Sequence, residues 1–345
     1  MKSTIKLFFF MLIFTSVTNI LAMQAPDDEH PAKRARIESP KTRLRLLHLF
    51  DTITLDELKQ RYGNHPAVFA CDFYIADIEK RGQEIVGGYA CENIYNIDHH
   101  APTKRMMSNV TATSLAIDYI KKHGAIPEGS CVLINHTDCD SVLSSLIMCG
   151  ILLIDEEDDA NLYIKAAESA DHTGAAHDIA DLLQVLAPQR DVTLSAQSMD
   201  KLIKGEDLDE KVATLFKKRS EERMRVFALV EQGKLKQKEH VTFLAVTPDQ
   251  NVDIQLLYWT LPDAEIIMTA GPMPNDASHT GIKIMLGRKA PKGLCLNTVG
   301  LGDGFGGRWD AVSNKRAGGT TNSPAIYIDK INAYIDHLNS PQEIE

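Results

Sequence analysis

The sequence predicts an α/β protein: a doubly wound, mainly parallel sheet followed by a second, smaller α/β domain. Three observations carry that expectation. Short β-branched runs alternate with segments of helical spacing between residues 67 and 153. Three of those runs end in acids or imidazoles, as parallel strands do when they deliver side chains to one sheet edge. Beyond a long, highly charged helical stretch, a new set of apolar runs starts near Val241.

In chain order, a basic start (Met1 to Lys6), an apolar run (Leu7 to Phe14) and the small residue Ala22 make residues 1–22 a secretory signal peptide. The expected product is exported, to the periplasm or outside the cell. Ile20 does not suit the third position before the cut, and with Met23 as the start the product is cytoplasmic instead. The apolar run is too short to span a bilayer, so no membrane span is expected in the mature chain. Residues 23–42 are rich in Pro, Asp, Lys and Arg without an apolar period, and read as a disordered linker.

The first domain is expected over residues 43–195. Thr54 to Arg61 is a short helix with Thr54 as N-cap. Ala67 to Asp72, Ile94 to Asp98 and Cys131 to His136 are strands. Thr111 to His123 is a helix that Gly124 stops, and Ser141 to Leu153 is a buried helix. The acidic patch Asp155 to Asp159 is a solvated turn, and Leu162 to Ala170 is helical up to Asp171-His172. Residues 196–237 form a charged helical connector. The second domain, 238–345, has strands at Val241–Val246, Glu265–Thr269 and Gly281–Leu286, a Gly-rich segment from Gly302 to Thr320, and a closing helix from Ile328 to Leu338.

Composition narrows the partners. With 44% hydrophobic and 24% charged residues, the chain is an ordinary globular one, and 345 residues suffice for two cores. A net charge of −10 argues against duplex nucleic acid as partner. A small phosphorylated ligand can still be held by a local cluster of Arg, Lys and backbone amides, and a homodimer is compatible with the chain. The six cysteines sit largely in apolar runs, so buried free thiols are expected rather than disulfides. Of two Asn-x-Thr sequons, the one at Asn135 overlaps the acid and imidazole cluster, where a glycan would destroy it.

That cluster is where chemistry is expected. Asp138 and Asp140, with His136 just before them, can splay onto two adjacent cations. Asp72, ending a neighbouring strand, can bridge them, and Asp98 with His99 closes the site from a third strand. Mixed carboxylate and imidazole ligation suits two divalent cations, Mn²⁺ first, with Mg²⁺, Co²⁺ or Zn²⁺ as alternatives. Paired metals lower the pKa of a bridging water and clamp both oxygens of an in-line phosphoryl displacement. His100 is placed either to support the ligands or to give a proton to the leaving group. In the Gly-rich segment, glycines let backbone amides approach an anion, and Arg308, Lys315 and Arg316 add charge. Trp309 is placed to stack on a base or to pack on its own domain.

These residues resemble the DHH phosphoesterase superfamily. Asp98-His99-His100 matches its name motif, Asp72 its lone acid, Ser108 to Leu115 its Ser/Thr-rich helix start, and His136-Thr-Asp138-Cys-Asp140-Ser141 its first motif. Gly281 to Arg288 and Gly302 to Gly319 resemble the family's substrate domain, called DHHA1. The motif order is rearranged: the His and Asp-x-Asp motif follows the DHH motif instead of preceding it. Arg308-Trp309 also stands where the family often has a His.

The resemblance implies a metal-dependent phosphoesterase or phosphohydrolase, with Asp98 and His100 catalytic. Its metal ligands would be Asp72, Asp98, His99, His136, Asp138, Asp140 and Asp171, with Asp155 the alternative to Asp171. Its substrate residues would be Arg288, Gly306, Gly307, Arg308, Lys315, Arg316, Gly318 and Gly319. Short oligonucleotides, cyclic dinucleotides, nucleoside phosphates and polyphosphate are the expected substrates. The alternative is an inactive nucleotide sensor of the same fold.

Overall fold

The computed structural model describes residues 43–47, 53–100, 110–154, 156–247 and 252–340. The expected signal peptide and linker, Ser108 and Asn109 of the Ser/Thr-rich helix start, and Asp155 lie outside them.

Two six-stranded sheets organise these residues. The first half runs through β1 (Arg43–Leu46), β2 (Ile53–Thr54), α1 (Leu55–Tyr62), β3 (Val68–Cys71), β4 (Ile75–Ala76), α2 (Ile78–Arg81), β5 (Gln83–Ile85), β6 (Gly88–Cys91) and β7 (Ile94–Ile97). It continues with α3 (Ala112–His123), β8 (Cys131–Ile134), α4 (Cys139–Met148), α5 (Glu157–Glu168), α6 (Asp178–Leu186) and α7 (Val192–Ile203). A π-helical turn, Ser169–Thr173, extends α5. Next come α8 (Glu210–Glu231), β9 (Lys236–Lys238), β10 (Val241–Ala245), α9 (Ile254–Thr260), β11 (Ile266–Met273) and β12 (Asp276–Leu286). The described chain closes with β13 (Gly306–Gly307), β14 (Ala311–Ser313) and α10 (Pro324–Asn339).

The first sheet has the order β1-β8-β3-β7-β6-β5. Its first four strands are parallel, and β6 and β5 add an antiparallel edge. Alternation along β3 explains how it is covered. Phe69 and Cys71 face one core with helices α3 to α7, while Val68 and Ala70 face another with α1 and α2. The central strands β3 and β8 thus lose both faces to helices, which is why they read as unbroken apolar runs.

The second sheet has the order β13-β14-β12-β11-β10-β9 and is antiparallel except at the β10–β11 pair. Ile266 and Met268 pack with Tyr327 and Ile331 of α10 on one face. Ile267 and Met285 pack with Ile254 and Leu257 of α9 on the other. Helix α8 joins the halves: Val212 near its start is in the core of the first sheet, and Val226 near its end is in that of the second.

Several expected boundaries move. The helix expected over Ser141–Leu153 stops at Met148, because Gly150 leaves the helical region at φ +68°. The helical stretch expected over 196–237 is carried by α7 and α8, separated where Gly205 takes φ +66°, and ends in the short strand β9. All six cysteines are free; Cys71, Cys131, Cys139 and Cys149 are buried, and Cys91 and Cys295 are partly exposed. No helix among the described residues is long and apolar enough to cross a membrane.

Candidate metal centre

Strand order fixes the centre. β3 lies between β8 and β7, so Asp72, just beyond β3, stands between the groups that follow its two neighbours. Asp72 adopts φ +57°, a left-handed conformation that Asp tolerates better than most residues. The turn is held by Asn96, whose Nδ2 donates to the carbonyls of Ala70 and Phe73 and whose Oδ1 accepts from Ile75 N. The sequence signal for this role is a polar Asn inside the apolar run Ile94–Ile97, which spacing alone does not connect to Asp72.

The two oxygens of Asp72 serve different pockets. Oδ2 is 3.1 Å from His136 Nε2, which is 3.2 Å from Asp138 Oδ2. Oδ1 is 3.3 Å from His99 Nε2, which is 3.4 Å from Asp171 Oδ2 and 3.6 Å from Asp140 Oδ2. Asp72 and His99 are only 1% and 2% exposed, so bulk water cannot neutralise this concentration of charge. His136 turns its other nitrogen, Nδ1, to Asn135 Oδ1 at 2.5 Å, which leaves Nε2 for the pocket. Ser141, the last residue of the His136 motif, donates to Asp72 Oδ2 (2.7 Å) and Asp138 Oδ1 (2.9 Å), a role the motif alone does not assign.

The remaining acids differ in posture. Asp138 is also the N-cap of α4, accepting from Ser141 N through Oδ1 while Oδ2 faces His136. Asp140 is fully buried and caps the amino end of α3, accepting from Ala112 N and Thr113 N at 2.7 Å each. Asp98 turns to His100, accepting from its Nδ1 at 2.7 Å and its backbone N–H at 3.1 Å. It therefore supports His100, whose Nδ1 is 3.7 Å from Asp72 Oδ1.

Proton affinities follow from this crowding. Burial and the Asp72 charge push the Asp140 carboxyl up to about 8. Burial opposes charge on His136, but Asp138 and Asp72 outweigh it and raise the imidazole to about 11. His99 is likewise raised, burial being overcome by the Asp171 and Asp72 carboxylates. Burial lifts the Asp72 carboxyl, yet His136 and His99 hold it well below the usual range. Asp171 is held low in the same way, chiefly by the Arg308 guanidinium.

The donor set fits divalent cations. Asp72 with His136 and Asp138, Asp72 with His99 and His100, and His99 with Asp171 and His172 each bring three ligand atoms within 4.8 Å. Two atoms inside the cluster, Asp72 Oδ1 and His99 Nε2, are buried without a hydrogen-bond partner. Such orphaned groups are expensive unless something else satisfies them.

Residues expected from the Gly-rich segment are placed unevenly. Arg308 enters the cluster, donating to Asp171 Oδ2 (2.7 Å) and to the Asp171 carbonyl (2.6 Å). Gly306, Gly307, Lys315, Arg316 and Gly318 are exposed, and Gly319 is half-buried. The Lys315 stem crosses Gly281 so closely that a Cβ there would lie 3.0 Å from Lys315 Cγ. Although the residue is exposed, partial desolvation of its ammonium and nearby Lys283 lower the Lys315 pKa. Arg288 stacks instead on Trp259 (4.8 Å) and Tyr258 (5.4 Å). Trp309 is partly buried against the core of the second sheet.

No protein-family model and no curated protein matches the chain. Among solved structures, it is similar to a pGpG-specific phosphodiesterase, PggH, from Vibrio cholerae, at 11% identity and TM-score 0.34, covering 67% of this chain and 97% of that one. It is also similar to an uncharacterized protein from Helicobacter pylori G27, at 9% identity and TM-score 0.20, covering 79% of this chain and 99% of that one. Likenesses this slight carry no functional argument, so the reading of the site rests on its own geometry.

Proposed function

We propose that the chain is a DHH-type, metal-dependent phosphoesterase acting on a small phosphorylated substrate. One observation carries the reading: Asp72 divides its two oxygens between two His-carboxylate pockets, and its Oδ1 and His99 Nε2 are orphaned there. In this reading His136, Asp138 and Asp72 hold one cation. His99, Asp72 and Asp171 hold the second, with Asp140 beside them. Mn²⁺ is the first choice for a set of carboxylates and imidazoles, with Mg²⁺, Co²⁺ or Zn²⁺ as alternatives. When bound, such a pair supplies a water of lowered pKa and neutralises charge on a phosphoryl group.

The protein's own groups do the rest. Asp98 orients the His100 ring and favours its protonated form, while burial opposes that charge. His100 is partly open to solvent, with 33% of its side chain exposed, so it can give a proton to a leaving oxygen. Asn96 and Ser141 hold Asp72 in place. Arg288, Lys315, Arg316 and the glycines at 306, 307, 318 and 319 are assigned to the substrate. We divide the chain as a catalytic domain over 43–195, a connector over 196–237 and a substrate domain over 238–345, behind an export signal.

The test is a panel of short oligonucleotides, cyclic dinucleotides, nucleoside phosphates and polyphosphate, assayed with Mn²⁺. Release of phosphate or mononucleotide should appear, and should drop at least about a hundredfold in Asp72→Asn. Tight nucleotide binding without turnover under any divalent metal would replace this reading with the sensor.

A further inference from the structure

The segment carrying Asp171 meets its own half of the chain through His172 Nε2 and the Val110 carbonyl (3.2 Å), but most of its hydrogen bonds to other segments come from the other half. Asp171 lies in the π-helical turn Ser169–Thr173 that extends α5, a backbone form found mostly at functional sites. Three later elements grip that turn. Arg223 of α8 donates to the Gly174 and Ala175 carbonyls at 2.6 and 2.7 Å. Gln255 of α9 donates to the Asp171 carbonyl at 3.2 Å. Arg308, just beyond β13, takes both the carbonyl and the carboxylate of Asp171.

Arg308 is built for this task. Its side chain is 14% exposed, Nη1 and Nη2 are both engaged by Asp171, and Nε lies 3.3 Å from Asp310 Oδ1 as an ion pair without a hydrogen bond. A planar fork fixes the direction of a carboxylate in a way that a lysine cannot. Asp310 offsets the guanidinium charge, so Asp171 is oriented without a net positive charge beside the pocket at His99. Asp310 also reaches toward His172 Nδ1 at 3.6 Å, on the residue next to Asp171.

We propose that Arg308 is a positioning residue that completes the His99 cation site from the far half of the chain. The His136 site has no such dependence, since Asp72, His136, Asp138 and Ser141 all come from the first sheet and α4. The proposal rests on the two-cation reading above. It makes the two sites unequal: one is built locally, and the other exists only when β13 and β14 are seated against the π turn.

The test is Mn²⁺ titration by calorimetry of full-length, chelator-stripped wild type, Arg308→Gln, Arg308→Lys and Asp138→Asn. Wild type should take two equivalents. Arg308→Gln should weaken one site at least about tenfold and leave the other within about threefold, the range seen for groups that orient metal ligands. Arg308→Lys should recover only part of that loss. Asp138→Asn should weaken the other site, and low-temperature EPR should show isolated Mn²⁺ in place of a coupled pair in both variants. Unchanged affinities in Arg308→Gln and Arg308→Lys would overturn the proposal while sparing the two-cation reading. So would equal weakening of both sites, which marks general damage. Fewer than two equivalents in wild type would overturn both. If Arg308→Gln does not fold, the same criteria apply to Arg308→Lys.

Discussion

Protonation of single residues makes the metal-free centre sensitive to pH. His136 is raised from an ordinary 6.5 to about 11, and Asp140 from 3.8 to about 8. Both bind their protons more tightly folded than unfolded. Their contribution to stability is complete below the unfolded values and is lost as pH rises through the folded ones. Asp72 and Asp171, held low, act in the opposite sense, but only as pH falls below 3.8. Chelated protein should therefore melt at a lower temperature at pH 9 than at pH 6. Mn²⁺ should raise the melting temperature more at pH 9, because bound ligands must be deprotonated. Scanning calorimetry with and without EDTA reads both effects, and a flat metal-free profile would contradict them.

His100 gives a second test at this scale. Burial disfavours its charge, but Asp98 outweighs burial and raises its pKa. If His100 is the proton donor, activity should decline on the alkaline side as it loses its proton. Asp98→Asn should move that decline to lower pH, read from a kcat profile. The acids and imidazoles were legible because each ends an apolar run. The division of labour was not, since whether Asp98 faces a cation or His100 depends on a rotamer that spacing does not encode.

At the scale of elements, two contacts set how firmly the site is built. Thr111 forms a capping box with Ser114 at the start of α3, the helix whose first amides hold Asp140. Thr111→Ala should cost about 1 kcal/mol in urea unfolding. Gly174 is more demanding. It takes φ +61°, and a Cβ there would fall 1.9 Å from the Gln255 carbonyl oxygen of α9. Gly174→Ala should destabilise by on the order of 2–4 kcal/mol and weaken the His99 site with it.

The sequence supports α1 and α3 almost to the residue, because Thr54, Thr111 and Gly124 are strong local signals. It does not disclose the β5–β6 edge or α9. The first is a hairpin of strands only three and four residues long around Gly87-Gly88, and the second is only 7 residues long. The π turn was equally hidden, since its partners lie far along the chain: Arg308 and Asp171 are 137 residues apart.

Across the whole molecule, α8 joins the two sheets by charge as well as by packing. Arg219, 7% exposed, donates to Asp181 of α6 at 3.2 Å and to Asp253, the N-cap of α9, at 2.9 Å. Arg223 adds a second donor to Asp181. Removing one partner of a buried network leaves charge uncompensated, so Arg219→Met should cost about 3 kcal/mol. The wild type is expected to melt in a single calorimetric transition, which this substitution should broaden or split.

The cysteines have a practical consequence. Four are sealed in cores, with burial raising the thiol pKa of Cys71, Cys139 and Cys149, so thiol reagents cannot readily reach them. The two partly exposed thiols, Cys91 on β6 and Cys295 ahead of β13, lie in opposite halves of the chain. The native protein is thus ready for spin or dye labels at one defined pair of positions. A distance distribution between them, recorded with and without Mn²⁺, would report how the halves respond to metal without a single engineered substitution.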